Sequence, residues 1–115
     1  DLLRLEKDYH FVWVAISLTE YEKYGRPVEA KSASASNFAS IVDGTNFGIV
    51  MVEEKKDFIT CSFRGRGSFD VSIIAQELGG GGHKEAAGAR LVGLPFEKAV
   101  ERVLEVARKY AKKTS

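Results

Sequence analysis

Apolar residues gather in short runs along this chain, and charged or glycine-containing segments separate one run from the next. Residues 10–18 (HFVWVAISL) and 47–52 (FGIVMV) are apolar at odd and even positions alike. A strand that is apolar on both sides is typical of the interior of a sheet whose two faces are covered. Both runs therefore predict central strands.

The run at residues 58–64 (FITCSFR) alternates between apolar and polar side chains. Alternation gives the strand two faces, one with Ile59, Cys61 and Phe63 and the other with Thr60, Ser62 and Arg64. The charged segment before it, residues 53–57 (EEKKD), has the composition of a solvated tight turn, so the pair predicts a hairpin. Cys61 is expected to be a buried small hydrophobe and not a nucleophile, because it lies on the apolar face.

Helix signals occur in four segments, at residues 19–25, 37–42, 71–78 and 95–111. The third should end at Gly79, and the fourth begins at a proline, which suits the first turn of a helix. Residues 87–93 predict one more strand. Helices that separate buried strands indicate an α/β protein, here a single small domain with a mixed β-sheet and helices packed on it.

The composition is that of an ordinary globular domain, with 115 residues, 44% hydrophobic residues and a net charge of +1. Any affinity for nucleic acid must therefore come from a local patch. One cysteine excludes an internal disulfide framework, and we expect a cytoplasmic protein without a signal peptide or a membrane-spanning run. The chain starts at an aspartate and not at a methionine, so we expect either processing or a piece cut from a longer protein. Residues 1–9 are expected to be a linker or helix tail from a missing N-terminal domain, and residues 10–115 the domain itself.

The stretch that points to function is residues 79–84 (GGGGHK). Glycine loses more backbone freedom on folding than any other residue, so four in a row favour a place where the backbone closely approaches another group. Residues 85–87 favour a helical turn, and we expect the glycines to lead into a short helix. Its N-terminal N–H groups, with His83 and Lys84, would suit a phosphate or carboxylate. The alternative is a flexible connector.

The full string from Gly79 to Ala89, with His directly after the glycines and Ala-Ala-Gly three residues later, resembles the signature of the DHH-associated domain. That domain is the C-terminal substrate-binding module of the DHH phosphoesterases, which include RecJ-like exonucleases, nano-RNases and cyclic-dinucleotide phosphodiesterases. Residues 62–66 (SFRGR) resemble the segment that precedes the glycines in that family, and residues 69–78 its intervening helix. The resemblance covers roughly the last two-thirds of the chain.

The resemblance implies that this chain holds a phosphodiester substrate such as a short oligonucleotide or a dinucleotide. It assigns substrate contacts to Gly80, Gly81, Gly82 and His83, with Arg64 as the charge partner and Arg66, Ser62 and Lys84 as further contacts. Catalysis would belong to an N-terminal DHH domain of the same parent chain, where an Asp-His-His motif helps to bind two metal ions, usually manganese. This chain has no such motif, so we expect no catalytic residues, metal site or hydrolysis in the fragment alone.

Two other interpretations stay open. The C-terminal region of alanyl-tRNA synthetase carries a kindred glycine-rich segment for tRNA, but an Arg-Pro pair tends to follow the glycines there. Here His83 and Lys84 follow, which favours the phosphoesterase. The third interpretation is a pure interaction domain in which the glycines form a flexible linker.

Overall fold

The computed structural model describes residues 3–23 and 44–112. These residues form β1 (Arg4–Glu6), β2 (Phe11–Ile16), α1 (Leu18–Lys23), β3 (Phe47–Lys55), β4 (Phe58–Gly65), α2 (Ser72–Glu77), β5 (Gly81–Gly82), β6 (Ala86–Val92) and α3 (Phe96–Lys112). The predicted helix at residues 37–42 lies outside the described residues. The remaining predicted helices and strands are found, with ends that shift by a few residues.

All the strands join one mixed sheet in the order β1-β2-β3-β4-β6-β5. Neighbours are antiparallel except β2 and β3, which are parallel. The seven residues 47–53 of β3 are all buried, which confirms that this apolar run is a central strand. The α/β class with a mixed sheet is confirmed.

One face of the sheet, called here the helix face, packs against α2 and α3. It carries the apolar set of β4 predicted from alternation, together with Ile49 of β3 and Ala87 of β6. Three rings stack across it, with centroid distances of 4.7 Å between Phe11 and Phe47 and 4.5 Å between Phe47 and Phe69. The fully buried residues of α3 that meet this core are Ala99, Val103, Ala107 and Ala111.

The opposite face, called the second face, is covered over β2 and β3. Val14, Val50 and Val52 pack there with Tyr21 of α1 in a small separate cluster. Residues 53–57 differ from the predicted solvated turn. Strand β3 runs on to Lys55, and Glu53 is buried, because its carboxylate accepts hydrogen bonds from the N–H groups of Leu18 at 2.9 Å and Asp57 at 3.3 Å.

The N-terminal segment corrects two predictions. Residues 4–6 are neither linker nor helix tail but an edge strand, held where the Glu6 carboxylate accepts bonds from Trp13 Nε1 at 2.9 Å and Arg108 Nε at 3.1 Å. Strand β2 begins at Phe11 and not at His10, because His10 has a φ of 60° and breaks the extended conformation. That another domain precedes this chain stays a prediction.

Candidate functional site

The glycine run begins as the end of α2. Gly79 has a φ of 90°, as its predicted place after the helix requires. Its N–H donates to the Gln76 carbonyl at 3.0 Å, and the N–H of Gly80 donates to the Ala75 carbonyl at 2.7 Å. These two donors therefore close the helix and are not available to a ligand.

The next glycines form a hairpin with β6. Gly81 and Gly82 pair with Gly88 and Ala87, and His83 and Ala86 exchange N–H···O bonds of 2.8 and 3.2 Å. The predicted short helix after the glycines is wrong, because Ala86 and Ala87 extend to pair with β4. The flexible-connector alternative is wrong too, since the run is part of the sheet.

Two of the glycines are needed for close packing. A Cβ on Gly80 would stand 2.1 Å from the carbonyl oxygen of Gly88, and one on Gly82 would stand 2.5 Å from the Cα of Ala87. Gly82 also has a φ of 143°, a conformation that L residues rarely adopt. A Cβ on Gly81 would meet nothing within 4 Å. Gly80 and Gly82 thus let β5 lie directly against β6.

The turn that follows, Lys84 and Glu85, is tied to the rest of the domain by its own carbonyl groups. The Lys84 carbonyl accepts from the Val71 N–H at 2.9 Å, and the Glu85 carbonyl accepts from the Gly65 N–H at 2.8 Å. Gly65 allows this approach, because a Cβ there would lie 3.2 Å from the Lys84 oxygen and 2.8 Å from that of Phe69. The backbone of His83 is therefore fixed relative to the end of β4.

This geometry revises the anion hypothesis. His83 and Ala86 form a hydrogen-bonded pair, and in antiparallel strands the next pair, Gly82 and Ala87, does not exchange hydrogen bonds. The N–H of Gly82 consequently points to the outer edge of the sheet. The pairing therefore gives the glycine run one outward N–H donor, that of Gly82. The sequence had predicted a series of such donors at a helix N-terminus.

The second face is open where it passes over β4, β6 and β5, and we call this surface the trough. Residues that face each other across a register pair lie on the same side of the sheet. From one end to the other, the trough consists of Arg64, Ala86 and His83, then Ser62, Gly88 and Gly81, then Thr60 and Arg90, then Phe58 and Val92. Its side chains are half-buried or exposed throughout.

The row of Arg64, Ala86 and His83 is the head of the trough. Two strand spacings of about 4.8 Å separate the backbones of Arg64 and His83, about 10 Å in all. Only the methyl group of Ala86 stands between them. Arg64 is half-buried, and its Nη1 donates to the Phe63 carbonyl at 3.5 Å, whereas His83 is exposed. The head can therefore place a cation and an imidazole on two sides of one small anionic group.

The structure does not bring every predicted contact into the trough. Ser62 lies in its second row, next to the head, but Arg66 does not belong to it. The Arg66 N–H donates to the Asn46 carbonyl at 2.8 Å. Arg66 lines a different cleft of about 490 Å³ together with Ser68 and Asp70. Lys84 is exposed at the tip of the turn. The head thus unites Arg64 and His83, with Lys84 beside it and Arg66 apart.

Sequence reasoning overlooked Phe58, Thr60 and Arg90, which belong to the trough. The signal was available in β6, where Ala87, Ala89 and Leu91 alternate with Gly88 and Arg90 and are buried on the helix face. Alternation alone would have placed Arg90 on the side of Ser62 and Arg64. What the sequence did not supply was the register that joins β6 to β4.

The described residues lack the ligand set that a manganese site needs. They contain no group of three or more His, Cys, Asp or Glu residues that could hold a metal ion, so they do not fit a manganese site. Burial raises the pKa of the Cys61 thiol to about 12, which agrees with its predicted place in the core. None of the helices within the described ranges is long and apolar enough to cross a membrane.

The fold and the trough define a small α/β domain with one partly open, cationic sheet face. The chain belongs to the DHHA1 domain family, whose model matches residues 12–113. DHHA1 domains occur in DHH-family phosphoesterases. A relative from Thermus thermophilus, named as a bifunctional oligoribonuclease and PAP phosphatase, is 46% identical over 59 residues, which are 51% of this chain and 18% of that protein. This chain therefore corresponds to a small part of that relative's length.

Solved structures share the fold. An exopolyphosphatase-related protein from Bacteroides fragilis matches with a TM-score of 0.84 and 24% identity, over 96% of this chain and 32% of that one. A pGpG-specific phosphodiesterase from Vibrio matches with a TM-score of 0.57 and 19% identity, over 93% and 34% of the two chains. At these identities the likeness concerns the fold alone.

The tRNA interpretation also has a structural relative. The C-Ala domain of Aquifex aeolicus alanyl-tRNA synthetase matches with a TM-score of 0.55 and 17% identity, over 85% of this chain and 92% of that one. This likeness again concerns the fold alone and does not favour tRNA over a phosphodiester substrate. The His83-Lys84 pair after the glycines still departs from the Arg-Pro pair expected for that branch.

Proposed function

We propose that this chain is the substrate-binding domain of a DHH-family phosphoesterase and holds a short oligonucleotide or a dinucleotide at the head of the trough. The catalytic DHH domain, with its manganese ions, would lie in the same parent chain. In this proposal the present chain contributes binding, and that domain contributes the metal-dependent step.

The observation that carries the proposal is the row of Arg64, Ala86 and His83. A guanidinium presents a planar fork of donors that matches two phosphate oxygens, and its charge-assisted hydrogen bonds are stronger than neutral ones. The imidazole of His83 stands across the small Ala86, and the Gly82 N–H faces the nearby sheet edge. The carbonyl groups of Lys84 and Glu85 fix the backbone around the head, so little backbone ordering is required when a phosphate binds.

The relatives support this substrate class. The Thermus relative is named for oligoribonuclease and PAP phosphatase activity, and the Vibrio structure for a pGpG-specific phosphodiesterase. Each of these named activities concerns nucleotide phosphates. A head that binds one nucleotide phosphate would serve them all.

The test compares Arg64→Ala with Lys84→Ala in the full-length protein, with kcat/KM measured on a dinucleotide. Arg64 extends from a strand anchored by the buried Phe63 and Ile59, whereas Lys84 is an exposed point charge at a turn. Hydrogen bonds to charged groups are worth about 1.5–3 kcal/mol, and a screened surface charge about 1 kcal/mol or less. Arg64→Ala should therefore lower kcat/KM about tenfold or more, and Lys84→Ala only slightly.

Equal losses at the two positions, or a larger loss at Lys84, would show that the strand-end arginine does not hold the substrate. A second check uses the 115 residues alone with added manganese and an oligonucleotide. We expect no hydrolysis, and turnover that a point change within this chain abolishes would contradict the proposal.

A further inference from the structure

The trough continues beyond the head into a second cleft. This cleft has a volume of about 490 Å³, and it is lined by Thr60, Gly88, Arg90 and the glycines 79–81, together with Cys61 and Ala89. Gly81 and Gly88 belong to the row next to the head, so the cleft and the head share one floor. No side chain in that row is larger than Ser62. A ligand at the head could therefore extend into the cleft without crossing a barrier of side chains.

Arg90 is the cation of this cleft. Arg90 is exposed, and its side chain forms no hydrogen bond or ion pair with the described residues. Two arginines of α3 differ in this respect, since Arg102 pairs with Glu105 at 3.3 Å and Arg108 with Glu6 at 3.1 Å. The guanidinium of Arg90 is therefore open to an anionic ligand from the trough.

An aromatic ring lies one row further along. Phe58 is half-buried on the same face, and Lys55 Nζ lies 5.5 Å from the centroid of its ring. Val92, its register partner on β6, is 69% exposed. Cationic grooves with aromatic rings are the arrangement that binds single-stranded nucleic acid, because bases stack on the rings while the cations follow the phosphates.

The two cationic ends of the trough lie several phosphate spacings apart along the sheet. Ala86 at the head and Arg90 are four residues apart on one strand, which corresponds to about 13 Å. Each strand of a nucleic-acid duplex carries one charge per about 3.4 Å of axis. A linear ligand of several nucleotides can therefore follow the trough and place different phosphates at its two ends.

Glu54 is an acidic neighbour on the β3 side. Its carboxylate accepts a hydrogen bond from Thr60 Oγ1 at 2.7 Å. A negative group at this margin repels phosphate from β3 and favours a path along β6, where Arg90 lies. Glu54 therefore directs a nucleic-acid backbone toward β6 and leaves the cleft open.

We propose that the trough is an extended track for linear oligonucleotides, in which Arg90 binds a second phosphate and Phe58 stacks a base. The proposal rests on the proposed function, because the head must hold the first nucleotide. The preferred substrates are then oligonucleotides of several residues, in preference to dinucleotides and mononucleotides.

The experiment measures kcat/KM of the full-length protein on a dinucleotide and on a pentanucleotide of the same base. The variants are Arg90→Ala, Arg90→Lys, Phe58→Ala and Arg64→Ala, with Arg102→Ala as a matched exposed arginine on α3. Arg90→Ala should lower kcat/KM for the pentanucleotide about tenfold more than for the dinucleotide. Arg90→Lys should recover part of that difference, and Phe58→Ala should reproduce it in part.

A salt titration adds a readout that a folding defect would not give. Loss of one phosphate contact should reduce the slope of log kcat/KM against log salt by roughly 0.7 to 1, for the pentanucleotide only. If Arg90→Ala affects both lengths equally, or neither, while Arg64→Ala lowers both, the track is wrong and the proposed function stands. If Arg64→Ala changes neither length, the proposed function itself fails.

Discussion

The second face of the sheet has two halves with opposite properties. Over β2 and β3 it is apolar and closed, with Val50 only 1% exposed and packed near Val14 and Tyr21. Over β4 and β6 it is open, and its residues are small, polar or cationic, apart from Phe58 and Val92 at the end away from the head. The boundary falls between two register partners, because Val50 of β3 pairs with Ser62 of β4.

The contrast shows how one continuous sheet separates stability from binding. The closed half excludes water and gains free energy from apolar burial. The open half has glycines and Ala86 where large side chains would fill the surface, and on it Arg64 is half-buried and Arg90 exposed. Changes on the closed half should therefore alter folding, while changes on the open half should alter ligand binding.

The largest expected effect comes from placing the same charge on each side of the boundary. Val50→Asp buries a carboxylate without a partner and should lower the free energy of unfolding by at least about 3 kcal/mol. Ser62→Asp places it on the half-exposed side and should change stability by about 1 kcal/mol or less. Urea unfolding followed by the fluorescence of Trp13, the single tryptophan, measures both.

In a binding assay the order of these two variants should reverse, with the larger effect at Ser62. Ser62→Asp sets a carboxylate beside the head and should weaken dinucleotide binding about tenfold by like-charge repulsion. Comparable losses of stability in the two variants would remove the distinction between the halves.

A smaller effect is expected at the glycine hairpin. Gly80→Ala would press a methyl group onto the carbonyl of Gly88 and should cost about 1–3 kcal/mol, the range for overpacking. Gly81→Ala is the matched control, since its Cβ meets nothing within 4 Å and stability should barely change. Thermal unfolding of the two variants checks this, and equal melting temperatures would contradict the close packing of β5 on β6.

These glycines also show where sequence reasoning ends. Their low strand propensity and the helix-favouring residues after them pointed to a helix, but pairing with β6 over Gly88 and Ala87 decided the conformation. Tertiary pairing overrides local preference in such a short segment. Glu53 was misplaced for a similar reason, because its partner, the Leu18 N–H, lies 35 residues away in the chain.

Patterns with a strong local signal were predicted well. The two-sided apolar runs became β2 and β3, and the alternation of residues 58–64 placed Ile59, Cys61 and Phe63 in the core. It also put Arg64 and Ser62 on the opposite face, where the trough lies. Edge strand β1 was missed, since three residues with one apolar side chain carry little signal. The assignment of substrate contacts stays a prediction.

The smallest expected effect is a loss of stability at acid pH. Burial alone would raise the pKa of the Glu6 carboxyl, but hydrogen bonds from Arg108 and Trp13 and the charge of Arg108 outweigh it, so the pKa is lowered from 4.5. A carboxyl with a lowered pKa in the folded state adds stability above its unfolded pKa and loses it as pH falls through the folded value. Stability should therefore decline below about pH 4.5.

Glu6→Gln tests this point, because it removes the titration while Trp13 keeps a possible acceptor. The variant should be less stable at pH 7 and should show a weaker decline from pH 5 to pH 3 than the unchanged protein. Parallel pH profiles would mean that Glu6 does not contribute. Glu6 anchors β1 and α3 away from the head, so this change should leave dinucleotide binding at pH 7 intact.

The claim that the open half binds a phosphodiester is tested most directly by chemical-shift mapping. The ¹⁵N-labelled chain is titrated with a dinucleotide, and with inorganic phosphate as a simpler anion. The largest amide shifts should fall on the head of the trough, at Arg64 and at residues 81–84, with little change in β2. Largest shifts at residues 53–57, or shifts spread evenly over the chain, would contradict the account.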